Sequence, residues 1–192
     1  MMQGILLAAG YGRRFDPSGH SSKLLAALPG GRSVAWHAAH ALCAALPGSI
    51  AVIRPGHEAL AAELRDAGCR VLESHDAEAG MGSALAHAVR DSAAADGWLV
   101  ALADMPWLPA DAIRAVAAAI DRPERIAAAA FAGRRGHPVG FGAAHGAALA
   151  TLAGDSGARD LLRTHPVLLI EAGDDGVLRD IDLPEHLPRT AR

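Results

Sequence analysis

Four short apolar runs in the first 102 residues are each followed or preceded by a helical pattern, and that alternation limits the fold most. The runs Gly4–Ala8, Ile50–Ile53, Cys69–Glu73 and Trp98–Leu102 read as strands. The stretches Ser33–Ala45, Glu58–Ala67, Gly82–Ser92 and Pro109–Ile120 carry helical spacing. Strand–helix alternation with short connections implies βαβ units and a mostly parallel sheet with helices on both faces. An α/β three-layer sandwich with a Rossmann-like sheet is expected. Ligands of such sheets bind at the carboxyl ends of the strands, so the loops that follow strands matter most.

The second half is less regular. Ile126–Phe131 and Pro138–Phe141 read as strands joined by the turn Gly133-Arg134-Arg135-Gly136. Ala143–Leu152 and Ala158–Thr164 read as short helices, and Val167–Glu171 and Val177–Ile181 as late strands. With no linker or repeat, residues 1–192 are expected to form a single domain.

Composition excludes several classes. Hydrophobic residues make up 51% and charged residues 20%, which suits a globular core rather than disorder. The net charge is −3, and a nucleic-acid coat would need a basic face. The longest apolar runs, such as Ile126–Ala132, are too short to span a bilayer. The N-terminus runs directly into a core strand without a signal-peptide layout, and two cysteines make no disulfide framework. No nucleic acid, no membrane, a cytoplasmic location and free thiols at Cys43 and Cys69 are the expectations.

The first strand leads into Ala9-Gly10-Tyr11-Gly12-Arg13-Arg14, with Lys23 further on. A glycine loop exposes backbone N–H groups, and cations beside it suit a polyanion such as a triphosphate. No G-x-x-x-x-G-K-[ST] string exists, so a Walker A loop is excluded. A dinucleotide fold needs G-x-G-x-x-G opening a helix. Here Phe15 replaces the third glycine, and Asp16-Pro17-Ser18-Gly19 cannot begin one. The second strand ends at Arg54-Pro55-Gly56 with no acid for a ribose.

Asp104 lies just past the strand Trp98–Leu102, where a metal–phosphate site is expected, although a turn residue would look the same. Asp180 and Asp182 face one side in strand geometry, and either suits a second metal contact. Asp180 is preferred, because Asp182 precedes the helix start Pro184-Glu185 and also fits a cap. Gly82 and Ser83 open a helix whose free N–H groups suit an anion; an ordinary helix start capped by Ser83 is equally compatible. Arg134, Arg135 and His137 form a local basic loop, and Arg159 follows a glycine turn. An arginine fork suits a phosphate. His37 and His40, three apart on a helix, lack a third ligand at a recognisable spacing.

These strings together resemble the nucleotidyltransferase superfamily. Leu7-Ala8-Ala9-Gly10-Tyr11-Gly12-Arg13-Arg14-Phe15 with Lys23 is similar to its L-A-[AG]-G-x-[SG]-x-R-[MF]…K signature. Ala103-Asp104-Met105-Pro106 resembles its magnesium-binding aspartate segment, and Asp180-Ile181-Asp182-Leu183-Pro184-Glu185 its D-[IV]-D-T-P-E-D ending. Gly80–Leu85 resembles its nucleotide-holding G-M-[GS]-[SA]-S-L segment. Arg135–Phe141 and Gly154–Arg159 resemble two strings of the molybdenum cofactor nucleotidyltransferases, the MobA-like NTP transferases, and the cytidylyl-transferring members in particular.

The resemblance implies the nucleotide-diphospho-sugar transferase type of fold and Mg2+-dependent transfer of CMP from CTP to a molybdopterin-type molybdenum cofactor, with release of pyrophosphate. It implies Arg14 and Lys23 as catalytic residues and Leu7, Ala8, Ala9, Gly10, Gly12, Gly82 and Ser83 as nucleotide-binding. Asp104 and Asp180 would bind the metal, and His137, Pro138 and Arg159 the phosphorylated pterin-type acceptor. Ala9 in place of glycine goes with CTP over GTP. The N-terminal half would bind nucleotide and the C-terminal half acceptor, with a transient contact to a molybdoenzyme. Another phosphorylated small molecule as acceptor, or a non-catalytic molybdenum cofactor carrier, are the alternatives. One departure stands out: eight residues separate Arg14 from Lys23, more than the family usually shows, and Asp16 stands where glycine is common.

Overall fold

The computed structural model describes residues 1–188. Its centre is a seven-stranded sheet in the order β3-β2-β1-β4-β6-β5-β7. Strands β1 (Met2–Leu7), β2 (Ile50–Ile53), β3 (Arg70–Glu73) and β4 (Gly97–Leu102) run parallel. Strand β6 (Arg134–Gly142) is antiparallel to both β4 and β5 (Ile126–Phe131), and β7 (Leu168–Glu171) joins β5 in parallel. The helices are α1 (Val34–Ala45), α2 (Glu58–Asp66), α3 (Met81–Asp91), α4 (Ala110–Ala118), α5 (Gly146–Ala150) and α6 (Arg159–Thr164).

The continuous apolar runs of β1 and β4 follow from burial on both faces. Leu6, Leu99 and Ala101 pack with α1, α2 and α4 in one core layer. Ile5, Leu7, Trp98 and Val100 point the other way and pack with α3 in a second layer. The expected three-layer α/β sandwich is therefore what forms.

Topology places the ligand crevice. The chain steps from β1 through α1 and β2 to β3, then crosses back by α3 to place β4 on the other side of β1. The strand order reverses between β1 and β4, so the loops after Leu7 and Leu102 diverge around an open space.

Two elements of the second half differ from expectation. Val177–Ile181 is not a strand: Asp175–Leu178 is a 3-10 turn, begun by the Asp174 carboxylate accepting from Gly176 N–H at 2.6 Å. Val177 and Ile181 are both fully buried, so core contact produces the apolar alternation without any strand pairing. The β5–β6 connection is not Gly133–Gly136 but the two residues Ala132 and Gly133, both at positive φ. Phe131 pairs with Arg134, which fits the tight hairpin turn that needs two such residues. Arg134 and Arg135 thus belong to β6. Ala143–Leu152 also divides, into a 3-10 turn at Ala143–His145 and the short α5. No helix among the described residues is long and apolar enough to cross a membrane.

Candidate active site

Beyond β1, the chain first ties itself to β2: Ala8 N–H donates to Val52 O at 3.0 Å, and Arg54 Nε donates to Ala9 O at 3.1 Å. Gly12 then takes φ 62°, and its carbonyl accepts from Phe15 N–H and Asp16 N–H at 2.9 and 3.1 Å. The loop folds back on itself instead of opening a helix. Among the described residues, the N–H groups of Gly10, Tyr11 and Gly12 make no hydrogen bond. They are free to meet an anion. The Tyr11 ring lies under the guanidinium of Arg54 at 4.0 Å and that of Arg13 at 4.8 Å.

The extra residues before Lys23 are organised by Asp16. Its carboxylate accepts from Ser18 N–H at 2.8 Å, Ser18 Oγ at 2.5 Å and Ser21 N–H at 2.7 Å. The bond from the Ser18 hydroxyl, followed by those from Ser21 and Ser18 N–H, holds the Asp16 pKa down to about 2. A glycine here could not make this turn, which explains the departure at position 16.

Lys23 emerges from that loop at the start of a 3-10 turn, Lys23–Leu25, and its side chain is nearly buried. Nζ donates to Asp104 Oδ2 at 2.7 Å and to Asp182 Oδ1 at 3.2 Å. Arg14 pairs with the other oxygen of Asp182. Burial alone would lower the Lys23 pKa, but the charge and hydrogen bonds of the two carboxylates outweigh it, and the ammonium is held protonated.

Each carboxylate has a defined support. Asp104 follows β4 directly, where Ala103 N–H donates to Leu7 O at 3.1 Å and locks the end of β4 to β1. Ile181 N–H donates to Asp104 O at 2.9 Å, which brings the C-terminal segment across the site. One oxygen from each of Asp104, Asp180 and Asp182 lies within 4.8 Å of the others. Among the described residues, Asp104 Oδ1 is buried without a hydrogen-bond partner. A carboxylate-only donor set with one unpartnered buried oxygen suits a hard cation such as Mg2+. Asp180 and Asp182 are both within this group. Asp182 alone of the two also contacts Lys23 and Arg14 and faces the cleft, whereas Asp180 is exposed.

Around this centre lies a cleft of about 420 Å³, bordered by Leu7–Arg14, Lys23, Gly80, Met81, Asp104 and Asp182. A second cleft of about 330 Å³ adjoins it, with Arg135, Gly136, His137, Val139 and Phe141 on its wall. Leu7, Met81, Leu102, Asp155 and Arg159 border both. Arg159 therefore stands where the two clefts meet. His137 faces the second cleft, and burial lowers its pKa against the opposing pull of a Val100 backbone hydrogen bond and nearby Asp104. Pro138 borders neither cleft.

Gly82 and Ser83 have different partners from those expected. Gly82 N–H donates to Gly154 O at 2.7 Å, and Ser83 Oγ accepts from Gly154 N–H at 3.1 Å. They hold the 154–159 loop against α3 and border neither of the two clefts. Gly80 and Met81 border the cleft in their place. Gly80 sits at φ 127°, and a Cβ there would overlap Asp155 Oδ1 and stand 2.6 Å from the Gly154 carbonyl carbon. Gly80→Ala should thus destabilise the protein by about 1–3 kcal/mol, read as a lower Tm by calorimetry. An unchanged Tm contradicts this packing. Tyr11, Arg13, Met81 and Asp155 are cleft residues that the sequence does not single out, and for Asp155 the G-D-x-G spacing is the available signal. Asp182, the alternative to the preferred Asp180, is the one of the pair that borders the cleft.

The chain is similar to known proteins over most of its length. A model of the MobA-like NTP transferase domain matches residues 4–168. The purine catabolism protein PucB of Bacillus subtilis (strain 168) is 37% identical over 122 residues, spanning 61% of this chain and 58% of PucB. Nicotine blue oxidoreductase of Paenarthrobacter nicotinovorans is 32% identical over 198 residues, spanning 97% of this chain and 94% of its own. The crystal structure of Rv0371c from Mycobacterium tuberculosis H37Rv superposes with a TM-score of 0.81 at 24% identity, covering 96% of this chain and 94% of that one.

Proposed function

The chain belongs to the MobA-like NTP transferase domain family, and from that premise we propose that it transfers CMP from CTP to a molybdopterin-type molybdenum cofactor in the presence of Mg2+. One observation carries the reading: Lys23, Asp104 and Asp182 converge at the mouth of a glycine loop whose N–H groups are unpaired. An acceptor phosphate attacks the α-phosphorus in line; the new P–O bond forms as the bond to the pyrophosphate oxygen breaks. The acceptor is already anionic, so no general base is needed. The loop N–H groups of Gly10 and Gly12 cradle the triphosphate, with Leu7, Ala8 and Ala9 forming the floor. Lys23 and Arg14 offset the charge that gathers on the α-phosphate and the leaving pyrophosphate. Asp104, with Asp180 or Asp182, would hold Mg2+, which when bound neutralises phosphate charge.

The acceptor assignment is supported by the second cleft. Val139 and Phe141 give it an apolar wall, Arg135 and Arg159 supply guanidinium donors, and His137 lines the same cleft. That suits a flat ring carrying a phosphate. The CTP preference is supported by Ala9 in the Leu7–Gly10 string. The reading includes a cytoplasmic setting and a transient contact with a molybdoenzyme.

Initial rates of pyrophosphate release from CTP, GTP and ATP, with Mg2+ and purified molybdenum cofactor, test it. CTP should exceed GTP in kcat/KM by at least about tenfold. A GTP preference overturns the nucleotide assignment. No release from any of the three leaves a carrier role in its place.

A second reading is a reductase, since one relative bears an oxidoreductase name. The loop geometry disfavours it: the chain after Gly12 turns back and does not open a helix, and Arg54-Pro55-Gly56 offers no ribose carboxylate after β2. Oxidation of NADH or NADPH by the protein would favour this second reading.

A further inference from the structure

Helix α1 ends against the turn that leads from α2 into β3, and this contact brings together the chain's two cysteines. Cys43 lies in the last turn of α1 and Cys69 immediately before β3, 26 positions later in the sequence. Their Sγ atoms are 3.2 Å apart. The approach depends on Gly68. It sits at φ 101°, and a Cβ there would already be in contact with Cys43 Cβ at 3.4 Å. The turn is held by Gly68 N–H donating to Arg65 O and Cys69 N–H to Leu64 O, both at 3.0 Å. Cys69 is buried and Cys43 is half-buried.

We propose that Cys43 and Cys69 form a redox-active dithiol that closes to an intramolecular disulfide on exposure to a hydroperoxide. The two sulfurs are unequal. The hydrogen bond from Cys69 lowers the Cys43 pKa against the opposing effect of burial, while that same bond, burial and the Cys43 charge push Cys69 up. Cys43, half-buried where Cys69 is buried, is the thiol an oxidant reaches, and Cys69, with its sulfur in contact, resolves it.

In the first step the Cys43 thiolate attacks a peroxide oxygen and the O–O bond breaks. The products are a sulfenic acid on Cys43 and a hydroxide or alkoxide, which takes up a proton. In the second step Cys69 sulfur attacks Cys43 sulfur, and the S–S bond forms as the S–O bond breaks. The hydroxyl leaves with the Cys69 proton as water. Two thiols are oxidised by two electrons, and one hydroperoxide is reduced to water or an alcohol plus a further water. The pair lies at the end of α1 and the amino end of the edge strand β3, whereas Lys23 and Asp104 stand at the carboxyl ends of the central strands. The disulfide thus tethers α1 to the α2–β3 turn without entering either cleft.

The test uses the full chain, reduced, desalted and exposed to one equivalent of hydrogen peroxide. Thiols titrated in denaturant should fall from two to none, the intact mass should fall by about 2 Da, and the protein should stay monomeric on a non-reducing gel. Peptide mapping should link residues 43 and 69, and dithiothreitol should restore both thiols. The apparent Tm should rise by roughly 5–10 °C. In Cys69→Ser, Cys43 should stop at the sulfenic acid, trapped by dimedone. Two persistent thiols in the wild type, oxygen added to Cys43 without a crosslink, or a peroxide-dependent dimer would each overturn the proposal. These readouts do not involve nucleotidyl transfer, so they stand or fall independently of the proposed activity.

Discussion

Lys23→Ala should lower kcat/KM for pyrophosphate release by about 10³-fold. Its ammonium is the buried cation of the site, held between Asp104 and Asp182. Removing one donor aimed at developing oxyanion charge costs about 10²–10³-fold in acyl transfer. Lys23 carries a full charge and lies among carboxylates that would otherwise repel the triphosphate, which places it at the upper end. A structural role alone predicts a different pattern. With Lys23 gone, Asp104 and Asp182 lose their shared counter-ion and compete better for a divalent cation. Calorimetric titration with Mg2+ should therefore show equal or tighter binding in Lys23→Ala while turnover collapses. Lys23→Arg should restore only part of the rate, because a planar fork does not reproduce a compact ammonium between two carboxylates. Weaker Mg2+ binding together with a large loss of Tm would instead make Lys23 a structural residue.

Asp104→Asn should cost about 10²–10³-fold in kcat and weaken Mg2+ binding. The amide keeps the shape at the end of β4 but removes the charge from the unpartnered Oδ1. The Asp104 carbonyl belongs to the backbone, so the bond it accepts from Ile181 N–H across the site should remain and the fold with it. Comparing Asp180→Asn with Asp182→Asn separates the two C-terminal carboxylates. Asp182 also counters Lys23 and Arg14, so its loss should change both Mg2+ binding and nucleotide KM. Asp180→Asn should change Mg2+ binding alone. Full activity in Asp104→Asn removes the metal site from the account.

The first half of the fold was legible because β1, β2 and β4 are buried on both faces. Their apolar runs are continuous and the helices between them are amphipathic or capped, as at Ser33, whose side chain accepts from Trp36 N–H at 3.1 Å. Residues 177–181 were misread because burial of Val177 and Ile181 imitates strand alternation, while hydrogen bonding there goes to Asp104 and the Asp174 cap. The hairpin at 132–133 was displaced because an alanine holds a positive φ that composition points towards glycine. In the site, Lys23 and Asp104 stood out locally, one as the chain's sole lysine and the other by its place after a strand. The choice between Asp180 and Asp182 did not, since it depends on a segment 78 positions beyond Asp104 folding back over β4. Gly82 and Ser83 looked like a free helix start because nothing local shows that Gly154 would occupy it. The contact between Cys43 and Cys69 is likewise tertiary, set by how α1 meets the α2–β3 turn.

The central claim is that the nucleotide's α-phosphate passes to an anionic acceptor in the cleft between β1 and β4. The most direct measurement is to follow CTP labelled on that α-phosphate, with Mg2+ and purified molybdenum cofactor. Label should leave CTP for the acceptor, with one pyrophosphate appearing for each labelled product, and Lys23→Ala and Asp104→Asn should both suppress the transfer. Label remaining in CTP, or release of single phosphate without a labelled acceptor, would contradict it.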